Sequence, residues 1–303
     1  MTNASLLKPV SSKSAGSKSA SWRDYYEMCK PRVVMMMILT SLIGMFLAVP
    51  GMVPLDILIW GNLGIALVAS AGAVVNHLID HQVDTIMQRT IKRPIPQGKV
   101  SPVQALLFAL FICVLGMAIL IFLVNPLSAW LTLASFVGYA IIYTGFLKRA
   151  TPQNIVIGGL SGAMPPLLGW SAVTGSIDAN GLLLVLIIFA WTPPHFWPLA
   201  IHRKSDYAKT DIPMLPVTHG DPLTKLHTLL YTIIMCLVTI LPYLTGMSGS
   251  FYLAAATLLG GGFMYHSLQL LMTDNPRAAM RTFRYSIFYL IALFIALLID
   301  HYL

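Results

Sequence analysis

Asn76, Asp80 and Asp84 recur at intervals of four within residues 76–99, NHLIDHQVDTIMQRTIKRPIPQGK. On one helix they share a face, with a drift of roughly 40° per step. The apolar run 63–75 precedes them, and Arg89, Lys92, Arg93 and Lys99 follow. A pair of carboxylates therefore ends a buried helix, and a cluster of cations comes next. Carboxylates hold Mg²⁺, and Mg²⁺ together with Lys or Arg holds phosphates. The expectation is a diphosphate site at the mouth of a membrane cavity. Two carboxylates at the carboxyl end of a helix oppose its macrodipole, and an Asn inside a span is costly; a ligand that needs negative charge resolves both conflicts. His77 and His81 are also four apart and could pair on a transition metal. They lack the glutamate of a zinc hydrolase motif and a cysteine partner, so the favoured reading is that one His lines the polar site.

The elements that must carry these groups are membrane spans. The chain has 303 residues, 57% hydrophobic and 10% charged, against about 25% charged in soluble domains. Nine apolar stretches have transmembrane length, at 33–53, 56–77, 103–124, 126–147, 154–174, 181–201, 226–246, 250–272 and 284–303. Small residues at 69–73 and 158–163 would let helices approach closely. Residues 1–21, rich in Ser, Ala and Lys, read as a disordered tail, and residues 22–303 as one nine-span domain. Residues 22–32 read as an amphipathic segment lying on the membrane surface, with Lys30 and Arg32 at the threshold of the first span. Three scattered cysteines suggest neither a disulfide framework nor a zinc cluster.

Charge placement supports the division. All nineteen Lys and Arg fall before the first span or around the connections after spans two, four, six and eight. By the positive-inside rule the amino terminus is cytoplasmic and the carboxyl terminus periplasmic. The net charge of +8 then reflects topology and not nucleic-acid binding. The short tail favours a bacterial inner membrane over a mitochondrial one.

Four acids, Asp80, Asp84, Asp206 and Asp211, lie in the two longest connections, 78–102 and 202–225. Each connection runs from an acidic pair through basic residues to Ile-Pro, a short internal echo that suggests two halves meeting over one polar site. Lys148 and Arg149 end the fourth span beside that site. Pro193 and Pro194 must kink or break the sixth span. His195 then sits within the membrane beside Phe196 and Trp197, able to line a pocket, ligate iron or move a proton.

The stretches DYYEMCKPRV, NHLIDHQVDTIMQRTIKRP, YTGFLKRATPQNIVIGGLSGAMPPLLGW and PPHFWPLAIHRKSDYAKTDIPMLPV resemble the intramembrane (UbiA-type) prenyltransferases, and within them the branch that farnesylates heme b. The resemblance covers roughly residues 22–300. It implies an all-α membrane protein with nine transmembrane helices ringed around a central cavity, capped by the two cytoplasmic connections. It implies transfer of a farnesyl group from farnesyl diphosphate to a vinyl group of heme b, with water completing the product, heme O. By the same resemblance Asn76, Asp80 and Asp84 would bind Mg²⁺ and diphosphate, Arg89, Lys92 and Arg93 match the basic part of the motif, Lys30 and Arg32 the entry, and Asp206 the second acidic motif. Relatives often have Asn where this chain has His77, Arg where it has His81, and a neutral residue at Asp211, so Asp211 would strengthen a second metal position. Users of the product, a heme A synthase or a terminal oxidase assembly, are implied as partners.

The chemistry follows from the residue types. Mg²⁺ on the aspartates, with Arg89, Arg93, Lys148 and Arg149, would stabilise a departing diphosphate. An apolar cavity would keep the allylic cation from water until the vinyl group attacks. Arg203 or Lys204 would meet heme propionates. The rivals are a prenyltransferase acting on a quinone-ring precursor and, from another class, a membrane transporter. Charges gathered at one membrane face, with none at midplane, weigh against the transporter.

Overall fold

The computed structural model describes residues 20–303, so the expected tail lies outside it apart from Ala20 and Ser21. Every regular element among the described residues is a helix. The first, α1 (Trp22–Met28), opens on a capping box in which Asp24 accepts the Ser21 backbone N–H at 3.0 Å. That bond holds the Asp24 carboxyl below the usual carboxylate range; burial opposes it, and Lys99 at 3.3 Å assists. A bend of 53° separates α1 from α2 (Pro31–Leu47). Lys30 at the bend is left-handed, with φ 50°, a conformation that costs a non-glycine residue about 1–2 kcal/mol. Pro31 then starts α2 where its missing N–H has no partner to lose.

The remaining helices are α3 (Leu55–Ile79), α4 (His81–Asp84), α5 (Pro102–Leu123), α6 (Pro126–Ala150), α7 (Asn154–Thr174), α8 (Ala179–His202), α9 (Lys204–Tyr207), α10 (Leu215–Thr218), α11 (Gly220–Leu244), α12 (Ser250–Met272) and α13 (Pro276–His301). Long helices stand where all nine spans are expected, but the count of nine is not reproduced. Among the described residues seven are long and apolar enough to cross a membrane, and eight if the bent pair α1–α2 is one span. The exception is α12, whose Gly260–Gly261–Gly262 run, His266, Ser267 and Gln269 dilute its apolar content. The protein is an all-α, multi-pass membrane protein.

The prolines of α8 do not break it. The helix continues through Pro193, Pro194 and Pro198 to His202, packed against α7, α11 and α13. Glycine allows the closest approach elsewhere: Gly44 of α2 lies against the Pro166 carbonyl of α7, and Gly169 of α7 against the Ser41 carbonyl of α2. A methyl group at either would collide with backbone.

Contact between α2 and α13 closes a ring. Inside it lies a cavity of about 530 Å³, walled by α2, α3, α6, α7, α8 and α13. Its walls are apolar residues such as Val33, Met37, Ile65, Val68, Leu168, Ile188 and Leu290. The connections after α3 and α8 pack on each other at one end, through a buried cluster of Met87 with Tyr207, Ile212, Met214 and Leu215.

Candidate active site

The site forms where α3 stops. Asp80 leaves the helix at φ −84°, ψ 0°, and the single turn α4 follows at once. The break keeps Asp84 buried, 2% exposed, beside Asn76 at 5% and Asp80 at 3%. Asp80 Oδ2 accepts from Asn76 Nδ2 at 2.8 Å and from Lys148 Nζ at 2.5 Å. Asp84 Oδ2 accepts from Arg93 Nη1 at 2.6 Å. Asn76 Oδ1 accepts from Lys30 Nζ, so the amide bridges a cation and a carboxylate. The sequence-predicted Lys30, Asn76, Asp80 and Lys148 thus form one chain of bonds, and Asp84 and Arg93 form a second pair, joined to it through the backbone by the Asp84 N–H donating to the Asp80 carbonyl at 2.8 Å.

Span four reaches this network through a widened turn. Residues Val137–Leu147 of α6 are wound as a π-helix, and the Thr144 hydroxyl donates to the Tyr139 carbonyl five residues back, at 2.9 Å. Such turns cluster at functional sites. Here the turn places Thr144 Oγ1 3.3 Å from Asn76 Nδ2 and the Tyr139 hydroxyl 3.5 Å from Lys30 Nζ. Tyr143 stacks on Tyr139 with ring centroids 5.9 Å apart, and Gly158 of α7 leaves room for its ring. Tyr139, Tyr143 and Thr144 escape the sequence reading; two tyrosines four apart, ahead of Lys148, were the available signal.

Cations exceed anions at the mouth. Burial pushes the Lys30 amine down to about 7, with Arg93 and Lys148 repelling its charge against the pull of Asp80. A surplus of buried positive charge suits an anionic ligand. The donor set also fits a hard divalent cation. Asp80 Oδ1 is buried with no hydrogen-bond partner, and the second carboxylate, Asp84, stands four residues on. Asn76, Asp80 and Asp84 would hold Mg²⁺ in the manner usual for it, by few protein oxygens with phosphates and water completing the shell.

The other sequence-predicted residues are placed differently. Arg89, Lys92 and Arg149 are exposed. Arg32 is exposed and lines the cavity entrance with Lys30. A four-carboxylate metal cluster is not formed: among the described residues no three His, Cys, Asp or Glu side chains converge on a metal position. Asp206 is buried but pairs with its own neighbour Arg203 at 3.8 Å, and Asp211 is exposed. Tyr207 lies between the two connections; burial pushes its phenol up, with Arg89 and Arg203 opposing and Asp206 and Asp80 assisting. His77 is buried with both ring nitrogens unpartnered, and His81 is exposed, bonded to the Leu78 carbonyl, so the two do not form a zinc pair. His195 lines the cavity. Its ring partners are Trp191 and Phe283, at 4.1 and 4.8 Å, and not its chain neighbours Phe196 and Trp197.

Residues 37–298 match the model of the UbiA prenyltransferase family. The chain is 62% identical to a protoheme IX farnesyltransferase of Marinobacter nauticus over 282 residues, 93% of each chain. It is 62% identical to one of Ectopseudomonas mendocina over 289 residues, 95% of this chain and 97% of that one. The fold is similar to that of a digeranylgeranylglyceryl phosphate synthase, with a TM-score of 0.77 at 18% identity over 92% of this chain and 98% of that one. It is also similar to a UbiA homologue from Archaeoglobus fulgidus bound to DMAPP and Mg²⁺, with a TM-score of 0.64 at 15% identity over 91% and 99%. A buried carboxylate–cation network at the end of a ring of membrane helices and this extent of identity lead to one conclusion: the chain belongs to the UbiA prenyltransferase family and, within it, to the protoheme IX farnesyltransferases.

Proposed function

We infer that the protein transfers the farnesyl group of farnesyl diphosphate to a vinyl group of heme b and adds water, giving heme O and diphosphate. One observation carries the reading. Lys30 belongs to two places at once: it bonds Asn76 in the carboxylate network and lines the apolar cavity. A substrate with a diphosphate head and a long apolar tail matches that junction. The names of the relatives supply the acceptor, heme b.

In this reading the diphosphate lies against Lys30, Arg93 and Lys148, which now pair with Asn76, Asp84 and Asp80. Mg²⁺, held by Asn76, Asp80 and Asp84, would supply further charge neutralisation; a UbiA homologue of similar fold is bound to DMAPP and Mg²⁺. The carbon–oxygen bond of the farnesyl ester breaks, and the cations take up the charge that develops on the leaving group. The cavity walls exclude water from the allylic cation until the vinyl carbon attacks. Arg32 at the entrance and Arg203 near the second connection are assigned to anionic groups, Arg203 to a heme propionate. Arg89, Lys92 and Arg149, exposed around the mouth, draw anions toward it. Asp206 and Asp211 belong in this assignment to the lid formed by the second connection. The mouth faces the cytoplasm of a bacterial inner membrane, because the Lys and Arg residues gather there. The product passes to a heme A synthase or a terminal oxidase.

The test is a single assay. Membranes carrying the wild-type chain or Asp80→Ala receive heme b, farnesyl diphosphate and Mg²⁺, and extracted hemes are weighed. A heme heavier by one farnesyl group and one water, absent with Asp80→Ala, is expected. Unchanged heme with a prenylated hydroxybenzoate would reassign the acceptor. Solute counter-flow without any prenyl transfer would mark a transporter.

A further inference from the structure

The geometry points to Ser286 as a positioning residue that locks one tautomer of His195 and directs its Nε2 lone pair into the cavity, where it ligates the iron of the heme acceptor. This rests on the acceptor assigned above.

Ser286 of α13 is fully buried. Its hydroxyl lies 2.7 Å from the Phe283 carbonyl, which can only accept, so the hydroxyl proton is committed there. The Ser286 oxygen then has only lone pairs to offer His195 Nδ1, 2.6 Å away. Nδ1 therefore carries the proton and donates. No carboxylate is among the residues lining the cavity, so nothing there favours an imidazolium. In the neutral ring the remaining lone pair is on Nε2. That atom has no protein partner among the described residues, yet it is not one of the sealed, unsatisfied polar atoms. Since His195 lines the cavity, Nε2 opens into it.

The ring cannot easily turn away. Trp191 stacks on it with planes 16° apart, and Phe283 stacks with planes 27° apart. Two near-parallel rings this close must occupy opposite faces of the imidazole. Ser286 holds this sandwich from both sides: its carbonyl accepts the Trp191 indole N–H at 2.8 Å, and its hydroxyl reaches both Phe283 and His195. A histidine whose second ring nitrogen donates to a fixed acceptor is the usual arrangement of a metal ligand, because that bond sets both tautomer and orientation. Heme iron takes such a ligand. Iron held here fixes the acceptor in the cavity that Lys30 closes at its mouth.

The test uses the full-length purified protein loaded with ferric heme b, read by absorption and electron paramagnetic resonance alongside heme titration. The wild type is expected to show a histidine-ligated iron signature. His195→Ala loses it, and added imidazole restores it. Ser286→Ala weakens heme affinity by about 10–100-fold, the range for lost partners of metal-ligating histidines. Ser286→Thr, which keeps the hydroxyl, recovers most of that loss. Binding of farnesyl diphosphate serves as the check that each variant is folded. An unchanged iron signature in His195→Ala, with wild-type heme prenylation intact, overturns the ligand assignment while leaving the reaction standing. Ser286→Ala equal to wild type in affinity and signature overturns the positioning role. A wild-type protein that binds farnesyl diphosphate but takes up no heme overturns the acceptor and this proposal together.

Discussion

The two connections that cover the cavity follow the same plan and reach different ends. In each, a long apolar helix (α3 or α8) gives way to a four-residue helix (α4 or α9) and then to an Ile-Pro pair, Ile95-Pro96 or Ile212-Pro213, with Arg89, Lys92 and Arg93 between them in the first and Lys209 alone in the second. In the first, both acids are buried, and one of their cations, Lys148, comes from 68 residues away. In the second, Asp206 turns to the neighbouring Arg203, and Asp211 faces outward. Burying a carboxylate beneath a distant cation carries a desolvation cost of several kcal/mol that the pair itself recovers poorly. The first connection accepts that cost at a position where a ligand can use the charge. The second spends its side chains on cover, with Tyr207, Ile212, Met214 and Leu215 packed over Met87. One pattern buries its acidic pair in the first half and packs apolar side chains in the second.

The sharpest way to break this contrast is Asp80→Asn. The change keeps the shape and removes the charge that the carboxylate carries on Oδ2, beneath Lys148, and on its unpartnered Oδ1. Prenyl transfer should fall by about 10²–10³, the loss typical of removing one group that stabilises transition-state charge. Omitting Mg²⁺ should abolish wild-type activity and add little to the variant, because both remove the same function. Initial rates at saturating farnesyl diphosphate, with and without chelator, decide it; a rate within tenfold of wild type would move the metal site elsewhere. Lys148→Met comes next. It strands Asp80 without its cation and removes one contact to the leaving group, and a loss of about 10² in kcat is expected. An effect confined to KM would mean that Lys148 binds the ground state only.

The contrast was partly legible in the sequence. The four-residue spacing of Asn76, Asp80 and Asp84 pointed to one polar face; all three are buried, Asn76 bonds Asp80, and Asp84 turns to Arg93. The reason differs: the helix ends at Ile79, and the break at Asp80, not a continuous face, keeps Asp84 inside. Lys148 and Arg149 were equivalent as letters. Only the pitch of α6 decides that Lys148 turns inward and Arg149 outward, and the π-helical stretch that sets this pitch has no hydrophobic period to announce it. Likewise, adjacency in the chain suggested Phe196 and Trp197 as companions of His195. Helical geometry instead supplies Trp191, one turn earlier, and tertiary packing supplies Phe283. The second acidic pair resembled the first because residue types do not reveal whether a neighbour, a distant cation or solvent will satisfy a carboxylate.

A smaller effect tests the support of the first connection. Gly158→Ala drives a methyl group into the Tyr143 ring, which stacks on Tyr139 next to Lys30. Overpacking of this kind costs about 1–3 kcal/mol. Thermal unfolding in detergent should register a lower midpoint, and because Tyr139 is displaced from Lys30, affinity for farnesyl diphosphate should drop by about tenfold or less, 1.4 kcal/mol being a factor of ten. A stable variant with unaltered affinity would separate the tyrosine stack from the site.

The smallest effect is the most exacting test of the difference between the two halves. Asp211 is the second acid of the pair that echoes Asp80 and Asp84, and the family resemblance implies a metal position for it. In the folded chain it is exposed, has no ion-pair partner among the described residues, and belongs to no three-membered cluster of His, Cys, Asp or Glu. Exposed substitutions away from such features change stability by about 0.5 kcal/mol at most. Asp211→Asn, which removes no contact to the buried acids or their cations, should therefore leave both the prenyl-transfer rate and its Mg²⁺ dependence within about twofold of wild type. The measurement is a Mg²⁺ titration of initial rate in the two proteins side by side. A rightward shift of tenfold or more would mean that the second connection swings in to share a metal with the first when substrate binds. The two halves would then be equal contributors to one site, and the lid would be a part of the chemistry it covers.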